Sequence, residues 1–423
     1  MASRIKSARH GSSAPHHRVL TGLMWATAAV VGFAAVYAGT NLYLLQSSLT
    51  TRDISALIQS DNDSQVALAS DGTPLDGSAG NDVNVLLMGS DIRDGENGEI
   101  GGVVEGMRSD TTIIMHISED RSRVEFISIP RDSRVAISDC TLFDGSTVRG
   151  WTTKFNTAFS NGGSQGDAAE AAACTIKTVQ DLTGISIDNY AVVDFSGFES
   201  MIDALGGVPM CISNDISSKK ANLYLDEGAQ VLDGETALAY ARARTGTGLP
   251  EGTDLRRIDR QQELLMNILR KALGQDVLTD VPTLTKFARA GAESLTMDPV
   301  LGNLSYLAGL GYSLRNLDTD NIAFITVPWE YPSDRNGDVV WSAEADDLFA
   351  KIIADQPAAD PEIDASPSAS PSADGTIAVS DSDAIGGATS SEAPSAIVTP
   401  SSEPSTSATP LRETESDILA SCN

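Results

Sequence analysis

Three patterns of apolar residues alternate along the chain. The longest run, Val19 to Leu45 (VLTGLMWATAAVVGFAAVYAGTNLYLL), holds no charged residue. A spanning helix needs about 20 apolar residues, and a cleavable signal has a core of only roughly 7–15. The run therefore predicts one transmembrane anchor; the alternative is a signal peptide cleaved near Ala38. Shorter apolar runs at Val83–Met88, Thr111–Ile117, Val124–Ile129, Tyr190–Phe195 and Asn321–Val327 predict buried strands. The first ends in Gly89-Ser90-Asp91 and the third at Pro130. Spacing by three and four predicts helices over Ala168–Leu182, Phe198–Leu205 (closed by Gly206-Gly207), Thr236–Arg244 and Leu255–Leu273, with two more inside 283–316. Strands alternating with helices indicate a layered α/β domain.

This pattern divides the chain. Residues 1–18 are a basic tail and 19–45 the anchor; 46–80 read as a polar stalk, helical from Gln46 to Gln59. The folded domain covers 81–355. Residues 356–416 are rich in Pro, Ser, Ala and acid, and cannot bury enough apolar surface to offset their ordering entropy, so they read as disordered. Residues 417–423 carry Cys422, which would staple the tail back to the domain.

Charge then fixes the orientation. Arg4, Lys6, Arg9 and Arg18 precede the anchor and acidic sequence follows it, so the N-terminus is cytoplasmic and the domain lies outside the cell membrane. A net charge of -29 over 423 residues argues against nucleic acid as a partner. Cys140, Cys174, Cys211 and Cys422 all fall on the outer side, where an even count suggests two disulfides. Three pairings are possible and sequence does not choose among them. The nearest pair, Cys140 with Cys174, is favoured, which leaves Cys211 with Cys422; free buried thiols are the other reading.

In so acidic a chain the arginines beside aspartates stand out. They are Asp91-Ile92-Arg93, Arg108-Ser109-Asp110, Arg131-Asp132, and Arg242-Ala243-Arg244 followed by Asp254, Arg256 and Arg257. Arginine suits phosphate because its planar fork donates paired, charge-assisted hydrogen bonds. Neighbouring aspartates would repel the anion unless a hard cation sat between, and Mg²⁺ takes one or two carboxylates plus phosphate oxygens. Any single pair is readily a weak surface ion pair; all of them at the ends of apolar elements point to a phosphate or pyrophosphate site with a metal. Arg242 and Arg244 share no helix face, and both reach a ligand only if the helix ends there.

The strings NVLLMGSDIR, RSDTTIIMHI, ISIPRDSRV, YAVVDFSGFESMIDALGGV, LDGETALAYARAR and DLRRIDRQQELL resemble the LytR-CpsA-Psr family of cell-envelope glycopolymer transferases, over roughly Asn81 to Leu273. The resemblance implies a three-layer α/β/α sandwich with a central mixed sheet and a groove for a polyprenyl chain. It implies transfer of a glycan-1-phosphate from a polyprenyl-pyrophosphate carrier to a cell-wall acceptor, peptidoglycan or a surface protein. Carried over by motif, Asp91 and Asp110 are the ligands of Mg²⁺ (or Mn²⁺). Arg108, Arg131, Arg242 and Arg244 clamp the pyrophosphate, with Arg93 beside them; Asp254, Arg257 and Gln261 close over the head group, and Asp132 positions Arg131. The Gly- and Glu-rich stretch 94–107 and the loop 245–252 are departures that could shape acceptor access.

Such a reaction needs positioning and charge neutralisation rather than a covalent nucleophile. Three of four histidines lie in the basic tail and His116 falls mid-strand, which leaves Asp110 or Asp254 as base candidates. Val192, Val193, Phe195, Phe198, Ile202, Leu205 and Leu238 are tunnel candidates, each equally readable as ordinary core. Lys154 and Asn156 border the region without an assigned role. The competing readings are a non-catalytic binder of the lipid-linked glycan and a pyrophosphatase acting on the same lipid.

Overall fold

The computed structural model describes residues 40, 45–58, 76–91, 107–249, 255–274, 280–334, 337–358, 419 and 422. Nearly all of the predicted anchor and acidic tail, together with Arg93 and Asp254, lies outside these residues. Among the described residues no helix is long and apolar enough to cross a membrane.

The centre is a seven-stranded mixed sheet. Its strands are β1 (Thr50–Thr51), β2 (Val83–Ser90), β3 (Ser109–Ile117), β4 (Val124–Ile129), β5 (Asn189–Val193), β6 (Leu295–Met297) and β7 (Ile322–Thr326), in spatial order β1-β6-β5-β2-β3-β4-β7. β2, β3 and β4 run antiparallel to their neighbours in turn, while β5 joins β2 and β7 joins β4 in parallel. The helices are α1 (Thr157–Gly162), α2 (Ala168–Thr183), α3 (Phe195–Ala204), α4 (Gly234–Arg242), α5 (Leu255–Leu273), α6 (Val281–Ser294), α7 (Leu304–Ser313) and α8 (Glu344–Ile353).

Period-two alternation divides β2 between two layers. Leu86 and Met88 pack with Ile114 and Ile127 against α1, α2 and α8, through Phe159, Ala172, Ile176 and Phe349. Val83 and Val85 face the other way, with Ile113, Ile117 and Phe126, against Tyr306 and Leu310 of α7 and Leu265 of α5. A smaller cluster, built on Met210, Ile212 and Leu232 of a two-stranded ribbon, holds α3, α4 and α5 together through Ile202, Tyr240 and Leu264. Cys140 is bonded to Cys174, pinning a hairpin to α2, and Cys211 of the ribbon is bonded to Cys422.

Several boundaries differ from the sequence expectation for identifiable reasons. α3 and α4 begin three and two residues earlier, because Asp194 accepts from Gly197 N at 2.8 Å and Asp233 from Thr236 N at 2.9 Å. Those aspartates are N-caps, so the helix starts at the next residue. β5 accordingly ends at Val193 rather than reaching Phe195. The segment read as stalk contributes to the domain: Thr50–Thr51 pairs with β6, and Ile54 is buried in the main core. Instead of one helix over Gln46–Gln59, a helical turn at residues 45–48 leads into that edge strand, and a second short turn of helix follows at Ser55–Ile58.

Candidate active site

The strand directions bring the charged motifs together. The C-terminal end of β2, the N-terminal end of β3 and the C-terminal end of β4 form one edge, so Asp91, Arg108, Asp110 and Arg131 meet there. Asp91 and Arg108 are fixed to each other by the backbone. Asp91 N donates to Arg108 O at 2.9 Å, and Arg108 N donates to Asp91 Oδ1 at 2.6 Å.

α4 supplies the other arginines. Arg242 is its last residue, and Ala243 leaves the helix at φ -61, ψ 127. The break lets Arg242 and Arg244 reach the same cavity despite their spacing. That cavity, about 710 Å³, is lined by Arg108, Arg131, Arg242, Arg244 and Lys154 against Asp91, Asp110 and Asp132. Five cations against three carboxylates favour an anionic occupant with more than one charge.

Asp110 is the hub. Arg131 Nη1 lies 2.5 Å from its Oδ1, and Arg257 Nη1 and Arg244 Nη2 lie 3.4 and 3.5 Å from its Oδ2. Burial alone would raise this carboxyl. The Arg257, Arg131 and Arg244 guanidinium groups outweigh it and hold Asp110 below the ordinary aspartate value. Asp132 accepts from Arg131 Nε at 3.3 Å and from Lys154 Nζ at 2.6 Å, so it orients two cations at once. Lys154 also lies 3.5 Å from Asp338.

Arg257 occupies a different place from Arg242 and Arg244. Its side chain is only 3% exposed and sits behind Asp110, where Nη2 donates to Asp110 O at 3.2 Å. Gln261, one turn further along α5, accepts from Thr111 Oγ1 and donates to Ala241 O, each at 3.2 Å. Both line a second chamber rather than the cationic cavity.

That chamber, about 320 Å³, is apolar, with Leu87, Val193, Phe198, Leu238, Ile268 and Phe287 in its wall. Phe195 and Ile202 also line it, whereas Val192 and Leu205 do not. The strand period explains Val192: Ala191 and Val193 point to the chamber and Val192 into the opposite core. The two spaces meet at Asp110 and Arg242, which line both. There the Arg242 guanidinium lies 4.3 Å from the Phe195 ring centroid, a cation–π contact between the charged and the apolar space.

Thr153, Thr157 and Ser160, which no motif in the sequence marks, line the cationic cavity with Lys154 and Asn156. Their position depends on long-range pairing: Phe155 N donates to Ser133 O and Asn156 N to Arg131 O, laying this segment beside Arg131. The only local signal was its polarity.

Among the described residues no group of three or more His, Cys, Asp or Glu is placed to hold a metal. Of the three carboxylates lining the cationic cavity, Asp91 and Asp110 remain beside Asp132, which is taken up by Arg131 and Lys154. That donor set fits a hard cation that completes its shell with phosphate oxygens and water, as Mg²⁺ does.

Fold and site define an α/β protein in which a cationic cavity opens beside an apolar chamber. The chain belongs to the LytR-CpsA-Psr family: the family model described as "LytR_cpsA_psr family" matches residues 42–353. Cell wall biosynthesis protein LcpA of Corynebacterium glutamicum is 31% identical over 276 residues, 61% of this chain and 51% of that one. The polyisoprenyl-teichoic acid–peptidoglycan teichoic acid transferase TagV of Bacillus subtilis is 29% identical over 227 residues, 51% of each. The chain thus spans about half the length of the curated relatives it matches. The crystal structure of B. subtilis TagV aligns at 23% identity and a TM-score of 0.49, over 66% of this chain and 99% of that one, an overlay too loose to transfer any detail.

Proposed function

We propose that this protein is a membrane-anchored extracellular phosphotransferase. It would move a glycan-1-phosphate from a polyprenyl-pyrophosphate carrier to a cell-wall acceptor, peptidoglycan or a surface protein. The observation that carries this reading is the junction of the cationic cavity and the apolar chamber at Asp110 and Arg242. A pyrophosphate joined to an isoprenoid is charged at one end and apolar along its length, and these two spaces divide in the same way. The transferase names of relatives such as TagV support the same reaction class.

In this mechanism Arg108, Arg131, Arg242 and Arg244 hold the pyrophosphate, and Phe195 and Phe198 cover the first isoprene units. The acceptor hydroxyl attacks the phosphorus nearest the sugar. A new oxygen–phosphorus bond forms, the bridging bond of the pyrophosphate breaks, and polyprenyl phosphate leaves with the electron pair and takes up the hydroxyl proton. Asp91 and Asp110 would hold Mg²⁺, which supplies neutralising charge to the bound diphosphate. Asp110 is a poor base, since three arginines hold it ionised below the usual range. Its part is to fix Arg131, Arg244 and Arg257 in one geometry while keeping a carboxylate toward the cavity.

The test is to incubate the purified full chain with Mg²⁺, a polyprenyl-pyrophosphate glycan and candidate acceptors. Polyprenyl monophosphate released together with a phosphodiester-linked product is the expected result. Release of polyprenyl monophosphate and glycan phosphate without acceptor linkage would establish a pyrophosphatase. Binding with no release would establish a carrier-binding protein. Equal product in chelator would overturn the metal assignment to Asp91 and Asp110.

A further inference from the structure

A surface helix ordinarily turns charged residues to water. α7 has none: its sequence, LSYLAGLGYS, contains no charged side chain, in a chain with 58 acidic and 29 basic residues. Its inner face buries Tyr306, Gly309 and Leu310. Its outer face carries Leu307, Ala308, Gly311 and Tyr312, spaced by three and four, all exposed. Leu307 is 37% and Tyr312 47% accessible. The first charge comes just past the helix, where the Arg315 guanidinium lies 3.9 Å from the Tyr312 ring centroid. An apolar stripe closed by a tyrosine–arginine pair is the composition of a segment that lies at a membrane–water interface.

The chain's path points to the same partner. Gln46 directly follows the charge-free run that ends at Leu45. Its side-chain amide donates to Gly302 O at 2.7 Å, and its Oε1 accepts from Leu304 N at 3.3 Å. The head of α7 is therefore fastened to the first residue beyond the run. The run of 27 residues exceeds the roughly 20 that a span needs, so Gln46 stands at its outer end.

The third observation links this face to the site. Leu87, Ile113, Leu265 and Leu295 line the apolar chamber and also belong to the cluster under α7 that contains Tyr306 and Leu310. α7 and the chamber thus share one face of the sheet, while α2 covers the other and carries the Cys140–Cys174 hairpin.

We propose that the outer face of α7, through Leu307, Tyr312 and Arg315, rests on the lipid bilayer and holds the apolar chamber toward it. This rests on the membrane anchoring proposed above. The contact would limit rotation about the anchor, so an isoprenoid carrier leaving the bilayer meets the chamber rather than the opposite face.

The experiment uses the full chain in vesicles of phosphatidylcholine and phosphatidylglycerol. Benzoylphenylalanine replaces either Leu307 or Phe143. Phe143 is 48% exposed and lies on the opposite face, its backbone N–H donating to Glu170 of α2. After illumination, lipid adduct at position 307 is expected at severalfold the level at 143. Equal labelling at the two positions, no lipid adduct at 307, or cross-linking there to a second copy of the chain would each overturn the proposal. No turnover is needed for this readout, so a chain that fails to transfer glycan phosphate still decides it. Failure to co-float with the vesicles would instead sink the anchoring on which the proposal rests.

Discussion

Opposite ends of the same three strands treat half-buried carboxylates in opposite ways. At the cavity end of β2–β3–β4, burial pushes Asp110 up, but three arginines bring it below the ordinary value. At the far end, fully buried His116 lies 2.8 Å from Asn84 Oδ1 and 3.0 Å from Asp355 Oδ1, and Arg123 bonds Asp355 at 2.5 Å. Asp188 accepts from Asn84 N at 2.8 Å, and burial first, then the Asp82 charge, pushes it up to about 6. Cations are supplied in excess where a cavity opens and are scarce where the strands merely close. The first arrangement suits the anion proposed above; the second is satisfied within the protein and holds the sheet's other end.

The comparison breaks most sharply on Asp110. Asp110→Asn keeps the shape and removes the charge that gathers Arg131, Arg244 and Arg257. Turnover of a polyprenyl-pyrophosphate glycan is expected to fall about 100-fold or more, with lipid binding retained. Asp188→Asn at the other end is expected to leave turnover within about twofold, since it touches nothing in the cavity. Near-normal turnover in the Asp110 variant would remove this carboxylate from the reaction.

A smaller effect is expected at the junction of the two spaces. Phe195→Leu keeps apolar volume and loses the ring beneath Arg242. A cation–π contact is worth about 0.5–2 kcal/mol, so kcat/KM should drop about two- to thirtyfold. Phe195→Tyr keeps the ring and should restore most of it. If Leu and Tyr behave alike, the ring serves only as packing and Arg242 is placed by other contacts.

Much of this geometry was legible before folding. Val124–Ile129 and Leu255–Leu273 show clear apolar patterns and fall at the expected bounds. Short apolar runs bordered by charged residues announced that Asp91, Asp110 and Arg131 belong at strand ends. The antiparallel order that puts those ends on one edge came only with the fold. β1 and β6 escaped notice because two or three residues set no period, and their pairing is with each other and β5. Arg257 could be named by motif, but not its place behind Asp110, which depends on how α5 packs across β3. Thr153, Thr157 and Ser160 were hidden for the same reason, being carried to the cavity by a backbone contact with Arg131 rather than by any local pattern.

The smallest expected effect concerns stability and uses the far end alone. Asp188 has its folded value raised from 3.8 to about 6. The folded state therefore binds the proton more tightly than the unfolded chain does, and stability attributable to this group rises as pH falls from about 7 toward 4. Asp110 has the opposite sign: it adds stability above the ordinary aspartate range and loses it only as pH falls below that range. The windows do not overlap, so the two ends separate by titration. After discounting for the partial exposure of Asp188, its ionisation costs about 1 kcal/mol at pH 7, or about 2–4 °C in Tm. Asp188→Asn should melt that much higher than the parent chain at pH 7, with the difference vanishing near pH 4. A difference that stays constant across this range would show that Asp188 does not titrate with folding, and that the far end is closed by hydrogen bonds rather than by a displaced proton.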